Sequence, residues 1–378
     1  MNNYEAVNSE YINNSVGNKN CYLIFAAEYN EDVMYGRLVQ RCKNSIDLAW
    51  AYDCELCYEC TDCRKCFNCL FCERSQDSSD LVFCFALRDS KNCILCTNLH
   101  HAQYCIENKQ CTKEEYEKRK AEILASHESV EVAKRRFEEL KVRAIVKFSF
   151  QTKCEDSTGD YLFNSHNSKR MFDSSDAKDC AFSADAEMPI DSYDLNNAYY
   201  KPEYCLDVMG ALTIQRGRFS TYVFNCSDIE YSDNLHNCNS CFGCIGMKKC
   251  DYYILNKQYT PEKYREARAQ IVESMKAERL YGQFFTPSLS PFGYNETLAK
   301  DYFPLSPAEA LHQGFKWQKE TTGTYGKETV KRGAIPSGSV DRLDDKIASE
   351  VLACDKCGLN FRITPQEFQF YFYFTISQ

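Results

Sequence analysis

The stretch CELCYECTDCRKCFNCLFC, residues 54–72, carries a cysteine at every third position, seven in succession. Neither common element keeps such a set together. In an α-helix three residues turn about 300°, so successive steps walk around the whole surface, and in a strand positions three apart face opposite ways. A chain whose every third side chain points inward has to turn a corner about every three residues, which describes a narrow solenoid. The phase extends well beyond this stretch. The first fourteen cysteines, at 21, 42, 54, 57, 60, 63, 66, 69, 72, 84, 93, 96, 105 and 111, all sit at multiples of three, a coincidence on the order of one in a million for random phase. The intervening positions of that phase from Ser45 to Ala102 are serine, alanine or leucine.

The coil length follows from columns at a step of twelve. Tyr22, Met34, Ile46, Tyr58, Leu70, Val82, Ile94 and Ile106 form an apolar column, and Asn20, Asp32, Asn44, Leu56, Asn68, Asp80, Asn92 and Tyr104 form one dominated by Asn and Asp. Stacked coils put equivalent residues about 4.8 Å apart with backbone pairing between them. Asn and Asp suit tight corners because they tolerate the left-handed region and hydrogen-bond locally. In geometry this resembles the right-handed, twelve-residue-coil β-helix of insect antifreeze proteins, although the Thr-x-Thr ladder of those proteins has no counterpart here.

The pattern recurs. Asn108-Lys109-Gln110-x-Thr112-x-Glu114-x-Tyr116 matches Asn256-Lys257-Gln258-x-Thr260-x-Glu262-x-Tyr264 at an offset of 148, and Cys93/Cys96 match Cys241/Cys244, the mark of an internal duplication. In the second copy a triplet phase runs from Cys205 through Cys226, Cys238, Cys241 and Cys244 to Cys250. An earlier stretch, Leu162 to Ser183 with Cys180, keeps a triplet in another phase, and the acidic, Asn-rich piece near 187–204 reads as the interruption.

Each solenoid ends at a helix signal. Thr112-x-x-Glu115 is a capping box opening a charged helical segment with a break near Ser126, and Thr260-Pro261 places an N-cap before a proline for a helix ending near Leu280. These helices read as caps for the open solenoid ends. A short helix is expected after Ser306-Pro307, ending at Gly314, and another from Asp344 to Ala353. The latter leads to Cys354-Asp355-Lys356-Cys357-Gly358, the first half of a zinc ribbon, whose turn brings two thiolates onto one tetrahedral ion. The chain then runs into an aromatic segment, Phe368 to Phe374, read as a strand.

The expected architecture is therefore mainly β: two narrow right-handed parallel β-solenoids, each capped by helix, plus a partial zinc ribbon. The boundaries are a Cys-rich solenoid at 1–111, a helical cap at 112–150, a second solenoid at 151–259, a helical cap at 260–282, an irregular linker at 283–340 and the partial ribbon at 341–378. Without an apolar h-region behind a basic N-terminus, and without an eighteen-residue apolar window, a cytoplasmic location is expected, where thiols are kept reduced. A net charge of −9 argues against a surface that grips nucleic acid or anionic membrane throughout.

Two groups of cysteines call for different chemistry. Cys42, Cys54, Cys57, Cys60, Cys63, Cys66, Cys69, Cys72, Cys84, Cys93, Cys96, Cys105, Cys226, Cys238, Cys241, Cys244 and Cys250 read as a structural core ladder, because a narrow core admits small side chains and a buried Cys is a compact hydrophobe. Disulfides between stacked thiols and metal–thiolate binding stand as alternatives. Cys93-x2-Cys96-x3-His100-His101-x3-Cys105 has zinc-like spacing, but the second copy carries Lys248, Lys249 and Tyr253 in place of His100, His101 and Cys105. Cys354 and Cys357 lie outside the solenoids and are the candidate Zn2+ ligands, to be completed by a second chain, a solenoid cysteine or a C-terminal extension. Nucleotide-binding, metalloprotease and serine-hydrolase motifs are missing.

The Cys-x-x-Cys ladders closed by Asn-Lys-Gln, the stretch Ser290-Pro291-Phe292-Gly293-Tyr294-Asn295-Glu296-Thr297, and Leu352-Ala353-Cys354-Asp355-Lys356-Cys357-Gly358 with Phe361-Arg362-Ile363 resemble the uncharacterised cysteine-rich, zinc-ribbon-bearing proteins of candidate-phyla bacteria. The resemblance implies a cytoplasmic protein with a C-terminal zinc ribbon and carries no activity. A second Cys-x-x-Cys that the family places after the segment corresponding to Thr364–Phe374 is missing here. The reading is a non-enzymatic binding or scaffold protein with a zinc half-site, engaging a protein partner or a second copy through a solenoid face or the aromatic segment. The alternatives are a thiol-rich metal or redox-buffering protein and a nucleic-acid-associated ribbon protein; no membrane partner is expected.

Overall fold

Every third residue from Glu5 to Glu107 has a positive φ, between +46° and +63°. These corners include Leu23, Trp50 and Phe71, side chains that rarely enter the left-handed region. Each corner immediately precedes an inward residue, and four corners in twelve residues make the coil four-sided. The computed structural model describes residues 3–319, 323–330 and 345–374; the end of the expected linker (331–340) and residues 341–344 of the expected ribbon lie outside the described residues. Two compact units emerge, one of residues 1–146 with 322–378 and one of residues 147–321.

In the first unit the coils stack in parallel at an offset of twelve. The apolar column appears pair by pair, Tyr22 against Met34, Met34 against Ile46, and so on to Ile94 against Ile106. The Asn/Asp column occupies corners as expected, with Asn20 Nδ2 donating to Asp32 Oδ1 at 3.2 Å and Asn68 Nδ2 to Asp80 Oδ1 at 2.6 Å. The triplet residues, Cys42 through Cys105 among them, form one continuous buried core.

Smallness alone does not explain which residues point inward. The backbone N–H of an inward residue repeatedly donates to the side chain of the inward residue one coil earlier. Ser45 Oγ accepts from Cys57 N (3.1 Å), Ser78 Oγ from Ser90 N (3.1 Å), and Asn30 Oδ1 from Cys42 N (2.9 Å). Sulfur takes the same place where Cys96 accepts from Asn108 N (3.3 Å) and Cys226 from Cys238 N (3.2 Å). The hydroxyl or thiol proton is used too: Ser45 donates to Lys43 O, and the Cys54 thiol lies 3.4 Å from both Tyr52 O and Cys63 O. Serine and cysteine combine small volume with a donor and an acceptor, so they satisfy a buried backbone that alanine or valine would leave wanting.

The solenoid's last edge is closed by a chain reversal. Lys109–Gln110 turns back antiparallel on Cys105–Ile106, while Asn108 bonds both N and O of Thr97 through its amide. The two helices expected as end caps, α1 (Lys113–Leu124) and α2 (His127–Arg143), instead run back along the flank formed by the apolar column. Thr112 and Ser126 are their N-caps. Tyr116 donates its hydroxyl to Asp80 O at 2.7 Å, Lys134 pairs with Glu59 at 3.0 Å and Lys141 with Glu73 at 2.6 Å. Helices suit this position because the column beneath them is apolar on its outer side, and an unburied stripe of that length would be costly.

The second unit repeats the plan, with Tyr253–Ile254 paired to Lys257–Gln258 and Asn256 bonded to Ile245 exactly one duplication length from its counterpart. The stretch near 187–204 does not interrupt the solenoid. Register passes from twelve, Ala181 against Tyr193, to thirteen, Tyr193 against Leu206. One coil absorbs one extra residue where Tyr200 and Lys201 are both left-handed, and that residue is what moves the triplet from the phase of Cys180 to the phase of Cys205. Helix α3 (Pro261–Ala277) lies against Phe242 and Ile254. Buried Glu230, which replaces Val82 of the first copy, is met by Arg268 Nε at 2.7 Å, Arg218 Nη1 at 3.3 Å and Tyr281 Oη at 3.0 Å. Before residue 320 the expected linker holds short helices α4 (Ala299–Tyr302) and α5 (Pro307–His312) around buried Tyr294; α5 is the helix expected after Ser306-Pro307, and Gly314 follows it at φ +83°.

The C-terminal segment corrects two expectations. Residues Asp345–Ser349 make a 3-10 turn and Leu352–Ala353 a strand, where a helix to Ala353 was expected, because Leu352 pairs across to Phe361. The aromatic run is helix α6 (Pro365–Phe374), not a strand. Within the first unit it lies on the early coils: Tyr35 Oη donates to Glu367 at 2.9 Å, Gln366 to Asn20 O at 3.0 Å, and Tyr371 packs on Tyr58 with ring centres 5.8 Å apart. Packing against the apolar column overrides the strand preference of the aromatics.

Replacing Ser45 by Ala leaves the Cys57 N–H without its acceptor and is expected to cost about 1–3 kcal/mol, whereas Ser45→Cys, which supplies an acceptor, costs less than half as much. Urea unfolding of both variants checks this, and equal losses would remove the acceptor role.

Candidate metal centre

The Cys354/Cys357 pair sits in a tight reversal between Leu352–Ala353 and Asn360–Phe361. Cys354 N donates to Leu359 O (2.9 Å) and Gly358 N to Cys354 O (2.8 Å). Gly358 stands at φ +74°, a conformation open to glycine without penalty. Residues 323–330 support the turn from one side: Asn360 N donates to Thr324 O at 2.8 Å and Asn360 Oδ1 accepts from Lys327 N at 3.1 Å. Cys357 is exposed and Cys354 half-buried. The backbone N–H groups of Cys357 and then Lys356 aim at the Cys354 sulfur and hold its thiol below the usual range, which favours the thiolate that metals bind. The two cysteines are legible in the sequence; the amides that activate one of them, and the supporting segment at 323–330, leave no signal in it beyond Gly358.

Two thiolates are half of a tetrahedral sulfur set. Among the described residues, no group of three or more His, Cys, Asp or Glu converges to hold a metal ion. The pair therefore fits zinc as a half-site, which no other described residue completes.

The ladder thiols form the opposite environment. All 24 cysteines are free thiols. In residues 54–72, Cys54, Cys57, Cys60 and Cys63 are the four inward residues of one coil, and Cys66, Cys69 and Cys72 stand one coil further on from three of them, with sulfur contacts both around a coil and between coils. Cys84, Cys93, Cys96, Cys105, Cys42 and, in the second unit, Cys226, Cys238, Cys241, Cys244 and Cys250 are likewise buried. Burial pushes the thiols of Cys21, Cys205 and Cys226 up to about 11. Cys238 and Cys250 approach within 3.0 Å, Cys241 and Cys250 within 3.7 Å. The zinc-like spacing at Cys93–Cys105 does not assemble: its cysteines are buried while His100 and His101 point to solvent. His236 stacks on Phe224 at 4.8 Å, away from the inward Cys238.

No family model matches the chain and no curated protein does. Among solved structures, one from Desulfovibrio desulfuricans G20, provisionally assigned as an acetyltransferase, is 10% identical over 73% of this chain and 81% of its own length, with a TM-score of 0.14. A superposition of that quality says nothing of chemistry. No described helix is long and apolar enough to cross a membrane.

A thiol-specific disulfide reagent is expected to react rapidly with Cys354 and Cys357 and to reach the ladder thiols only on unfolding. Stability is also expected to fall with alkalinity. A thiol whose folded value is raised to about 11 is fully stabilising below the unfolded value near 8.5, and between about pH 9 and 11 the unfolded chain releases its proton first. Each such thiol then removes about 1.4 kcal/mol per pH unit. Urea midpoints measured from pH 7 to 10.5 test the sign, and a flat profile would contradict it.

Proposed function

We propose that the chain is a non-enzymatic, cytoplasmic binding or scaffold protein: two right-handed solenoids that present surface, and a half zinc ribbon at Cys354 and Cys357 that binds Zn2+. The observation that carries this reading is the division of the cysteines. The solenoid thiols face the coil axis, where they serve as hydrogen-bonding core residues, and the Cys354/Cys357 pair alone has an exposed member, a metal-type turn and amides that favour a thiolate. Solenoids offer long regular faces to partners, an argument from architecture that supports binding and names no ligand.

When bound, zinc supplies a fixed cross-link between sulfurs, and here that means structure rather than catalysis. Cys354 and Cys357 would hold it, with the Lys356 and Cys357 N–H groups bonded to sulfur and Gly358 permitting the reversal.

The competing reading, a thiol-rich metal or redox-buffering protein, differs in stoichiometry. Protein purified anaerobically without chelator is expected to carry at most one zinc per chain, lost in the double variant Cys354→Ser, Cys357→Ser, with the ladder thiols recovered free after denaturation. Several metal ions per chain that survive the double variant would favour the competing reading instead.

A further inference from the structure

We infer that the Cys354/Cys357 half-site is completed by the same two cysteines of a second copy of this chain, giving a zinc ion shared across a two-fold axis. The inference rests on the zinc reading of this pair and goes beyond it by naming what supplies the other two ligands.

Elimination within the chain comes first. From residue 313 onward the sequence contains no histidine and no cysteine other than Cys354 and Cys357. Every solenoid cysteine is buried except Cys111 and Cys154, each a single half-buried thiol. Within residues 1–378 a zinc ion on Cys354 and Cys357 thus meets no second accessible pair of thiols, and zinc sites that are structural rather than catalytic close all four positions.

The surroundings of the pair fit a second copy. Tyr325, whose ring lies beside Gly358, is 51% exposed, and Phe361, on the strand that leaves the turn, is 46% exposed. Two large exposed aromatics therefore stand on the segments that build the turn, Tyr325 against Gly358 and Phe361 on the returning strand. A two-fold arrangement is self-complementary, so each copy would cover the patch of the other. The charge also balances locally. Two chains each release two thiol protons, four thiolates bind one Zn2+, and the resulting double negative charge lies beside one Lys356 from each chain and against the four N–H groups contributed by the two turns. No electron transfer is involved, and the protons pass to solvent.

The test uses the full chain, purified under reducing conditions without chelator, and reads zinc by elemental analysis and mass by sedimentation velocity. The expected result is half a zinc per chain in a species of twice 43.8 kDa, returning to the 43.8 kDa monomer on chelation and in either Cys354→Ser or Cys357→Ser. Both substitutions fall in a turn outside the buried core of the first solenoid, and an unchanged far-ultraviolet spectrum confirms folding. Cobalt titrated into the apo-protein is expected to saturate at half an equivalent, with the intense sulfur-to-metal absorption of a four-sulfur site. One zinc per monomer, lost in the variants, overturns the shared site and leaves the zinc reading standing. A reduced, zinc-free monomer overturns both, and a dimer that persists after chelation overturns the shared ion as its cause.

Discussion

A left-handed corner at every third residue turns a backbone N–H toward the coil axis, and the structure is organised around giving that group an acceptor. The corner itself is unfavourable: for an L-residue other than glycine the left-handed region costs roughly 1–2 kcal/mol, and the first solenoid uses it without exception from Glu5 to Glu107. What offsets it is regular parallel pairing between coils together with a core in which Ser, Asn and Cys side chains complete the hydrogen bonding. Asn18 and Asn30 show the requirement at its fullest. Asn30 donates to both Asn18 Oδ1 and Val39 O and accepts from Cys42 N, so a polar side chain is accommodated at 1% exposure.

Cysteine meets this constraint as well as the limit on size: the ladder thiols donate to carbonyls two residues before and nine residues after them, and Cys96 and Cys226 accept from the next coil's N–H. Alanine is smaller and valine more apolar, yet neither offers an acceptor to the next coil. Cysteine alternates with serine along the same columns, as where Ser232 Oγ accepts from Cys244 N and Cys226 Sγ accepts from Cys238 N. The two differ in what they contribute: sulfur gains more from burial, oxygen makes the stronger hydrogen bond.

Periodicity made the solenoid legible because a coil of fixed length writes itself into the sequence as columns, and the duplication was legible because the coil-ending Asn-Lys-Gln has a fixed task in both copies. Three features were not legible, each for a physical reason. The extra residue at Tyr200 and Lys201 changes the phase without changing the composition, so it reads as a break although pairing continues through it. Closure of each edge depends on two residues turning back, too short a signal beside a strong helix cap. The aromatic run from Phe368 has strand-like composition, and only Tyr35 and the apolar column at Tyr58, more than three hundred residues earlier, make a helix the better partner. The Cys354/Cys357 pair was legible from its spacing, while the amides that tune Cys354 belong to the backbone and carry no sequence signature.

Comparison of the copies shows where they have been free to differ. Both keep the inward columns, since a change there leaves a buried N–H or a void in a core one side chain wide. The flank differs: Val82 on the apolar column of the first copy becomes Glu230 in the second, joined to Arg218, Arg268 and Tyr281. A flank needs only that whatever covers it matches it, so the first unit carries two helices and α6 on an apolar stripe and the second carries α3 on one that includes a buried ion pair. The same distinction separates the two classes of cysteine. Those facing an axis are fixed by the coil's hydrogen bonding and closed off by burial, which raises the thiols of Cys21, Cys205 and Cys226, and a buried side chain is a poor ligand. Cys354 and Cys357 stand in a turn that no coil requires, so their placement answers to something outside the solenoid.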